Sequence, residues 1–388
     1  MCYVSFSRTD AISLLTQLVR IDSVNPALVP GAKGEAEVAA FAVEYLRGAG
    51  LEVYVEEVAP GRANVVSVLR GRGGGQSLML CGHLDTVGVN GMAEPFAARV
   101  DGGRLYGRGA YDMKGPDAAA MLALCELRRT GVPLAGDVIL ALVCDEEHAS
   151  IGASALVQRW QADAAVVVEP TEMDLVLAHK GFVWARVTTT GRAAHGSRFD
   201  EGLDAIVMAG KYLAEFDALE RELRARPGHE LLGPPSIHAS TIRGGQELSS
   251  YPAECVIEIE RRTLPGETGE QVQAELRAVA ERAATRDPSF RADVQVYFAR
   301  NPYEIDPNAP IARAVQRVAT SHLGREPRPR GAAFWMDSAI LAEAGIPTAI
   351  LGPGGAGAHA ETEYVVIDDV VKCAEVYVDL AVEWNLSR

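Results

Sequence analysis

The chain has 388 residues, 48% of them hydrophobic and 23% charged, with 38 glycines and 20 prolines dispersed along its length. It is long enough for two globular domains, and this composition excludes a disordered, collagenous or disulfide-stapled chain. Its 37 Lys and Arg against 52 Asp and Glu give a formal net charge of −15, which repels a phosphate backbone and argues against general nucleic-acid binding.

Residues 10–20 repeat apolar side chains at helical spacing, with Thr9 or Asp10 as the expected cap, and residues 36–48 read as a second amphipathic helix closed by Gly48 and Gly50. Apolar runs at Leu51–Val58, Asn64–Leu69, Ser77–Cys81, Asp137–Val143 and Ala164–Val168 then alternate with a helix near Pro116–Arg129. Such alternation predicts an α/β domain with a largely parallel sheet. After Lys180 the pattern changes. Gly181–Thr190, Ser236–Ile242 and Glu254–Glu260 alternate with period two, and helical stretches at Asp204–Arg224 and Gly269–Thr285 lie among them. This predicts an inserted α+β domain whose antiparallel sheet has one solvated face. From Pro302 the α/β pattern returns, with helices at Pro310–His322, Asp337–Ala344 and Asp368–Trp384 and a buried strand at Thr348–Leu351. The expected division is therefore 1–180 with 299–388 as one discontinuous domain, and 181–298 as the insert.

Six cysteines (Cys2, Cys81, Cys125, Cys144, Cys255 and Cys373) form no CxxC pair, and most lie in apolar stretches, as reduced thiols of a cytoplasmic protein do. Met1–Arg8 lacks the basic-then-apolar pattern of a secretory signal. No apolar run reaches the ~20 residues that span a bilayer. A cytoplasmic location with no membrane partner is expected.

The acids and histidines fall at strand ends. Ser77–Cys81 is followed at once by His83 and Asp85, Asp137–Val143 by Glu146 and Glu147, and Ala164–Val168 by Glu169. Thr348–Leu351 leads through a glycine loop to His359, and Asp112 lies just ahead of a helix. In an open α/β sheet, ligands bind at the carboxyl ends of the strands. So many carboxylates at one edge repel one another unless cations lie between them, and imidazole with carboxylate is the donor set of Zn²⁺, Co²⁺ or Mn²⁺. Two ions about 3.5–4 Å apart need a bridging carboxylate and activate a water between them. The count fits: His83 on one ion, His359 on the other, Asp112 as the bridge, and Glu147 and Glu169 one on each. Glu146 is left over, and as the neighbour of a ligand on an extended segment it can face the water as general base. Asp85 can take the second N–H of the His83 ring and fix its tautomer.

The stretches LCGHLDTV (80–87), GRGAYDMKG (107–115), CDEEHASIGA (144–153), VVEPT (167–171), GRAAHGS (191–197), ERRTLPGE (260–267) and LGPGGAGAHAETEYV (351–365) resemble, in family order, the zinc-dependent amidohydrolase family of acetylornithine deacetylase, succinyl-diaminopimelate desuccinylase, aminoacylase and glutamate carboxypeptidase. The resemblance implies a two-metal catalytic domain with a smaller lid domain that also makes a homodimer. It implies His83, Asp112, Glu147, Glu169 and His359 as metal ligands, Glu146 as general acid/base and Asp85 as the partner of His83. It further implies His195 as a lid histidine reaching the neighbouring subunit's site, and Arg262 as a lid arginine for the substrate carboxylate. Arg261 beside it is the competing choice. Where related lids often carry an asparagine, Ser249 and Ser250 stand here. The loop at Gly354 is expected to let the backbone approach substrate. A glutamate at position 169 accompanies deacylases and carboxypeptidases more than aminopeptidases. The expected substrate is therefore an N-acyl amino acid or short peptide with a free carboxylate, cleaved at its amide bond; release of a C-terminal amino acid by a carboxypeptidase or dipeptidase is the alternative. Phe334 and Trp335 are candidates for an apolar acyl pocket or for core packing.

Rival readings are weaker. Gly352, Gly354 and Gly357 match a dinucleotide-binding spacing, but His359 and an acidic turn come where a helix should begin. A non-catalytic binding protein on the same scaffold is expected to lack a ligand or the base, and every matched position is intact. Asn385-Leu386-Ser387 fits a glycosylation triplet only formally.

Overall fold

A computed structural model of the chain describes residues 6–386; Cys2, the first five residues of the Met1–Arg8 stretch, and Ser387 of the triplet lie outside the described residues. Two compact units form. One comprises the chain up to Leu177, Ile305–Arg330 and the chain from Met336 on; the other comprises Ala178–Glu304 with Gly331–Trp335.

The first unit is built on a mixed sheet. Its order runs Glu52–Ala59, Arg62–Leu69, Val138–Val143, Leu78–His83, Ala164–Val167, Thr348–Ile350 and then Leu175–His179. The four middle strands are mutually parallel. The flanking pairs are antiparallel. VILALV at 138–143 and LMLCGH at 78–83 are buried at every position, as central parallel strands covered on both faces require. Truncating one of their leucines to alanine costs about 2–5 kcal/mol. Helix Gly115–Thr130 opens with Pro116 in its first turn and closes at Gly131, whose φ of 62° is the left-handed cap that glycine adopts without strain. The first helix starts at Arg8, two residues before its apolar pattern begins, and Ser7 caps it by accepting the N–H of Thr9 at 3.1 Å. Thr9 and Asp10 lie inside the helix.

The second unit has a four-stranded, wholly antiparallel sheet ordered Ser236–Gly244, Glu254–Thr263, Gly181–Thr190 and Ala292–Arg300. Along Gly181–Thr190 every second residue is buried. Val183, Ala185 and Val187 join Tyr212, Phe216, Ile257, Leu276 and Val279 in a core under helices Ala205–Ala225 and Gly269–Arg286. Asp204 caps the first of these helices through the N–H groups of Ile206 and Val207, and Thr268 with Gln271 makes a capping box on the second. Trp335 packs against Phe182 and donates its indole N–H to the carbonyl of Asn301, while Phe334 is half exposed. Trp335 is thus core packing of the second unit. Among the described residues, no helix is long and apolar enough to cross a membrane.

Candidate metal centre

Because the four middle strands run parallel and side by side, the residues that follow them emerge at one edge. His83 ends one strand, Glu146 and Glu147 follow the second, Glu169 follows the third, and the loop after Thr348–Ile350 brings His359. Asp112 comes from the turn ahead of helix Gly115–Thr130, next to a cis peptide at Asp112–Met113. The Nε2 atom of His83 lies 3.2 Å from Asp112 Oδ1, 3.7 Å from Glu169 Oε1 and 3.9 Å from Glu146 Oε2. The Nε2 atom of His359 lies 3.0 Å from Glu147 Oε2 and 3.4 Å from Asp112 Oδ2. Asp112 therefore turns one carboxylate oxygen to each imidazole. Two triads, His83–Asp112–Glu147 and His83–Glu146–Glu169, each place their ligand atoms within 4.8 Å of one another.

The electrostatics of this cluster fit cations. Burial pushes the carboxyls of Glu146 and Glu169 well above the usual range; His83 pulls each back, while neighbouring carboxylates push them further. Glu147 rises to about 7 through burial and the nearness of Asp112. His359 is held charged up to about 10 by its bonds to Asp112 and Glu147. Burial opposes the charge on His83, but its bond to Asp112 and the surrounding carboxylates outweigh it. The cluster thus draws protons onto itself wherever positive charge is wanted. Glu147 Oε1, buried, has no hydrogen-bond partner in the protein. A buried carboxylate oxygen left bare beside imidazoles is a metal donor in its chemistry, so the residues present fit divalent cations.

Behind the cluster the carboxylate of Asp85 does something other than expected. The Nδ1 atom of His83 meets the main-chain carbonyl of Asp85 at 3.0 Å, while the Asp85 carboxylate stands 3.7 Å away. A carbonyl only accepts, so Nδ1 carries a proton, and in the neutral ring the Nε2 lone pair faces the cluster. The carboxylate instead accepts the backbone N–H groups of Glu146 at 3.0 Å and Glu147 at 3.2 Å. A second buried acid repeats this device. Glu363 accepts the N–H groups of Gly109, Tyr111 and Asp112 at 3.1, 2.9 and 3.0 Å. Arg108 pairs with Glu363 at 2.6 Å and donates to the carbonyl of Ala360, next to His359. Sequence reading missed Glu363 and Arg108, and with them Asn25, Glu35 and Arg62, which bond to Asp85 or Asp145 beneath the cluster. They act through hydrogen bonds to distant segments, and no spacing marks them.

Gly354 donates its N–H to Asp369 Oδ2 at 3.3 Å, and a Cβ there would lie 2.5 Å from that oxygen. A side chain there would have to displace the Asp369 carboxylate. His195 and Arg262 belong to the second unit. His195 is exposed in a loop, with Nδ1 accepting the N–H of Ser197 at 3.2 Å, so a neutral ring carries its proton on Nε2. Arg262 is half buried, bonded to Glu260 at 2.7 Å and stacked over Phe182. Arg261 is fully buried and occupied by Glu267 and Glu275.

Residues 79–383 match peptidase family M20/M25/M40. The acetylornithine deacetylase of Myxococcus xanthus is 29% identical over 376 residues, covering 93% of this chain and 94% of that one. The N-formyl-4-amino-5-aminomethyl-2-methylpyrimidine deformylase of Bacillus subtilis is 28% identical over 391 residues, covering 92% of this chain and 91% of its own. In fold, the chain is similar to a dinuclear metal-binding M20 peptidase of Bacillus subtilis, with a TM-score of 0.74, 17% identity, and coverage of 97% and 98%. Sharing that family's sequence over most of its length, the chain belongs to peptidase family M20/M25/M40 and is a metal-dependent hydrolase of amide bonds.

Proposed function

We propose that the chain removes the acyl group of N-acyl amino acids, as a deacetylase or desuccinylase does. Two divalent ions, zinc in the first place with cobalt or manganese as substitutes, would be held by His83, Asp112, Glu147, Glu169 and His359. The observation that carries this reading is Asp112, whose two oxygens face two different imidazoles. When bound, the ions would polarise the amide carbonyl and acidify water at the site. Glu146, kept protonatable by burial, takes a proton from the attacking water and hands it to the departing amine. Arg262 offers a planar fork to the substrate carboxylate. His195, with its Nε2–H free at an exposed loop, steadies the developing oxyanion in the site of a second subunit.

The homodimer is proposed to form through the second unit. Its edge strand Ser236–Gly244 is exposed along most of its length, and Ile206, Val207, Ile242 and Leu248 are exposed in the same unit, a combination that a partner sheet would cover. Cys81, Cys125, Cys144, Cys255 and Cys373 are free thiols, in keeping with a reducing, cytoplasmic location.

A hydrolysis panel tests the activity: N-acetyl, N-succinyl and long-chain acyl amino acids, dipeptides, and the N-formyl aminopyrimidine for which the Bacillus relative is named. Acyl amino acids should turn over fastest, lose activity on chelation and regain it with zinc. Faster release of C-terminal amino acids would favour the carboxypeptidase alternative. Equal turnover of the formyl compound, which has no carboxylate, would remove Arg262 from substrate binding.

A further inference from the structure

Beneath the Glu146–Glu147 pair lies a buried polar frame that the reaction itself does not use. Asn25, Glu35, Asp85 and Asp145 are all 1% exposed or less. The side-chain NH₂ of Asn25 donates to Asp85 Oδ2 at 2.8 Å and to Asp145 Oδ1 at 3.0 Å. Its orientation follows from chemistry, because carboxylates only accept and because Asn25 Oδ1 takes the N–H of Ala27 at 2.9 Å. Arg62 donates to Asp145 Oδ1 at 2.6 Å and grips Glu35 with two further N–H groups, the Nε contact at 3.0 Å. Glu35 in turn accepts the backbone N–H of Asp145 at 3.1 Å. Asp145 is left-handed at φ 68°, a conformation uncommon outside glycine, and it is the residue immediately before Glu146.

We infer that Asn25 and Arg62 are positioning residues: with Glu35 and Asp145 they set the turn that aims Glu146 and Glu147 at different parts of the cluster. The chain of contacts is continuous. Arg62 and Glu35 hold Asp145, Asn25 ties Asp145 to Asp85, and Asp85 holds the two amides from which the glutamates project. A fold has cheaper ways to fill this volume, since burying two carboxylates against one guanidinium, with a third held by an asparagine amide, costs more than apolar packing of the same size. Such groups are worth their cost where the direction of a neighbouring side chain must be held.

This inference rests on Glu146 and Glu147 being working acids. Asn25→Ala, Arg62→Met, the pair combined, and Arg62→Lys are compared as full-length zinc-loaded protein on the best substrate of the panel. Melting temperature and the visible absorption of the cobalt-substituted forms are recorded alongside. In folded Asn25→Ala and Arg62→Met, kcat should fall about 10–100-fold with KM within about 2-fold. The cobalt bands should shift. The double variant should lose no more than the worse single one, because both act on one turn. Arg62→Lys should recover part of the loss and serves in place of Arg62→Met if the latter does not fold. Wild-type kcat and cobalt bands in folded Asn25→Ala, or losses that multiply independently, would overturn the frame. Full turnover in Glu146→Gln and Glu147→Gln would instead overturn the functional reading beneath it, so the two failures are told apart.

Discussion

The first unit buries Glu35, Asp85, Asp117, Asp145 and Glu169 around the ends of its parallel strands, whereas the second leaves Arg186, Arg192, His195 and Arg243 exposed over a core made mainly of Val, Ala, Leu and Ile. Buried carboxylates are costly and persist where neighbours or ligands compensate them. Exposed ion pairs such as Arg186–Glu258 contribute about 0–1 kcal/mol and leave their side chains free to meet something else. The contrast separates two kinds of candidate residue. In the first unit the chemistry is organised by the chain's own hydrogen bonds. In the second, the proposed roles of His195 and Arg262 depend on what reaches them.

The largest effect is expected on the organised side. Glu146→Gln keeps the shape of the side chain and removes its ability to carry the proton, so turnover should fall by about 10²–10⁴-fold. Because Glu146 is spare in the proposed ligand count, metal content by atomic emission should stay at the wild-type level; retained turnover would break the assignment. On the exposed side, His195→Ala should cost about 10²–10³-fold if its Nε2–H steadies an oxyanion. Mixing His195→Ala with Glu146→Gln subunits sharpens the comparison. A mixed dimer then has one site with an intact Glu146 and a partner's intact His195, and should regain part of the activity. No regain would mean that His195 serves its own subunit or only its loop.

The same contrast governs what can be read from sequence. His83, Glu146, Glu147, Glu169 and His359 were legible because each follows an apolar strand, and a parallel sheet delivers such positions to one edge. Asp112 was legible from its place ahead of a helix. The part of Asp85 was half legible: proximity tied it to the His83 ring, but its carboxylate turned to the amides of Glu146 and Glu147. Asn25 was not legible at all. It precedes a proline, as a turn residue does, and its partners lie 60 and 120 residues away. Arg62 likewise starts the second strand of a hairpin and gives no sign that its guanidinium turns inward to Glu35 and Asp145. Period-two alternation revealed the second unit's sheet, because its solvated face repeats within one strand. Long-range hydrogen bonds leave no such period.

The smallest effect tests whether every buried acid of the first unit is held for function. Asp117, in the first turn of helix Gly115–Thr130, is 1% exposed, and neither carboxylate oxygen has a hydrogen-bond partner in the protein. It fills the space beside Gly82, where a Cβ would collide with Asp117 Oδ1 and crowd Met113 and Val168. Burial pushes its carboxyl well above the usual range, with His83 and Lys114 opposing. A carboxyl whose pKa is higher folded than unfolded holds its proton longer in the native state, so the native state binds more protons as pH rises past the unfolded value, and stability falls across that window. The penalty is absent below the unfolded pKa and complete above the folded one. Asp117→Asn cannot ionise and nearly preserves volume. Its melting temperature should exceed wild type at pH 8 by a few degrees, match it near pH 4, and lose this portion of the pH dependence in calorimetry. An Asp117→Asn protein that melts lower at pH 8 would show that the ionised carboxylate is compensated, as Asp85 and Glu363 are by backbone amides, and would place Asp117 among the acids that organise the site.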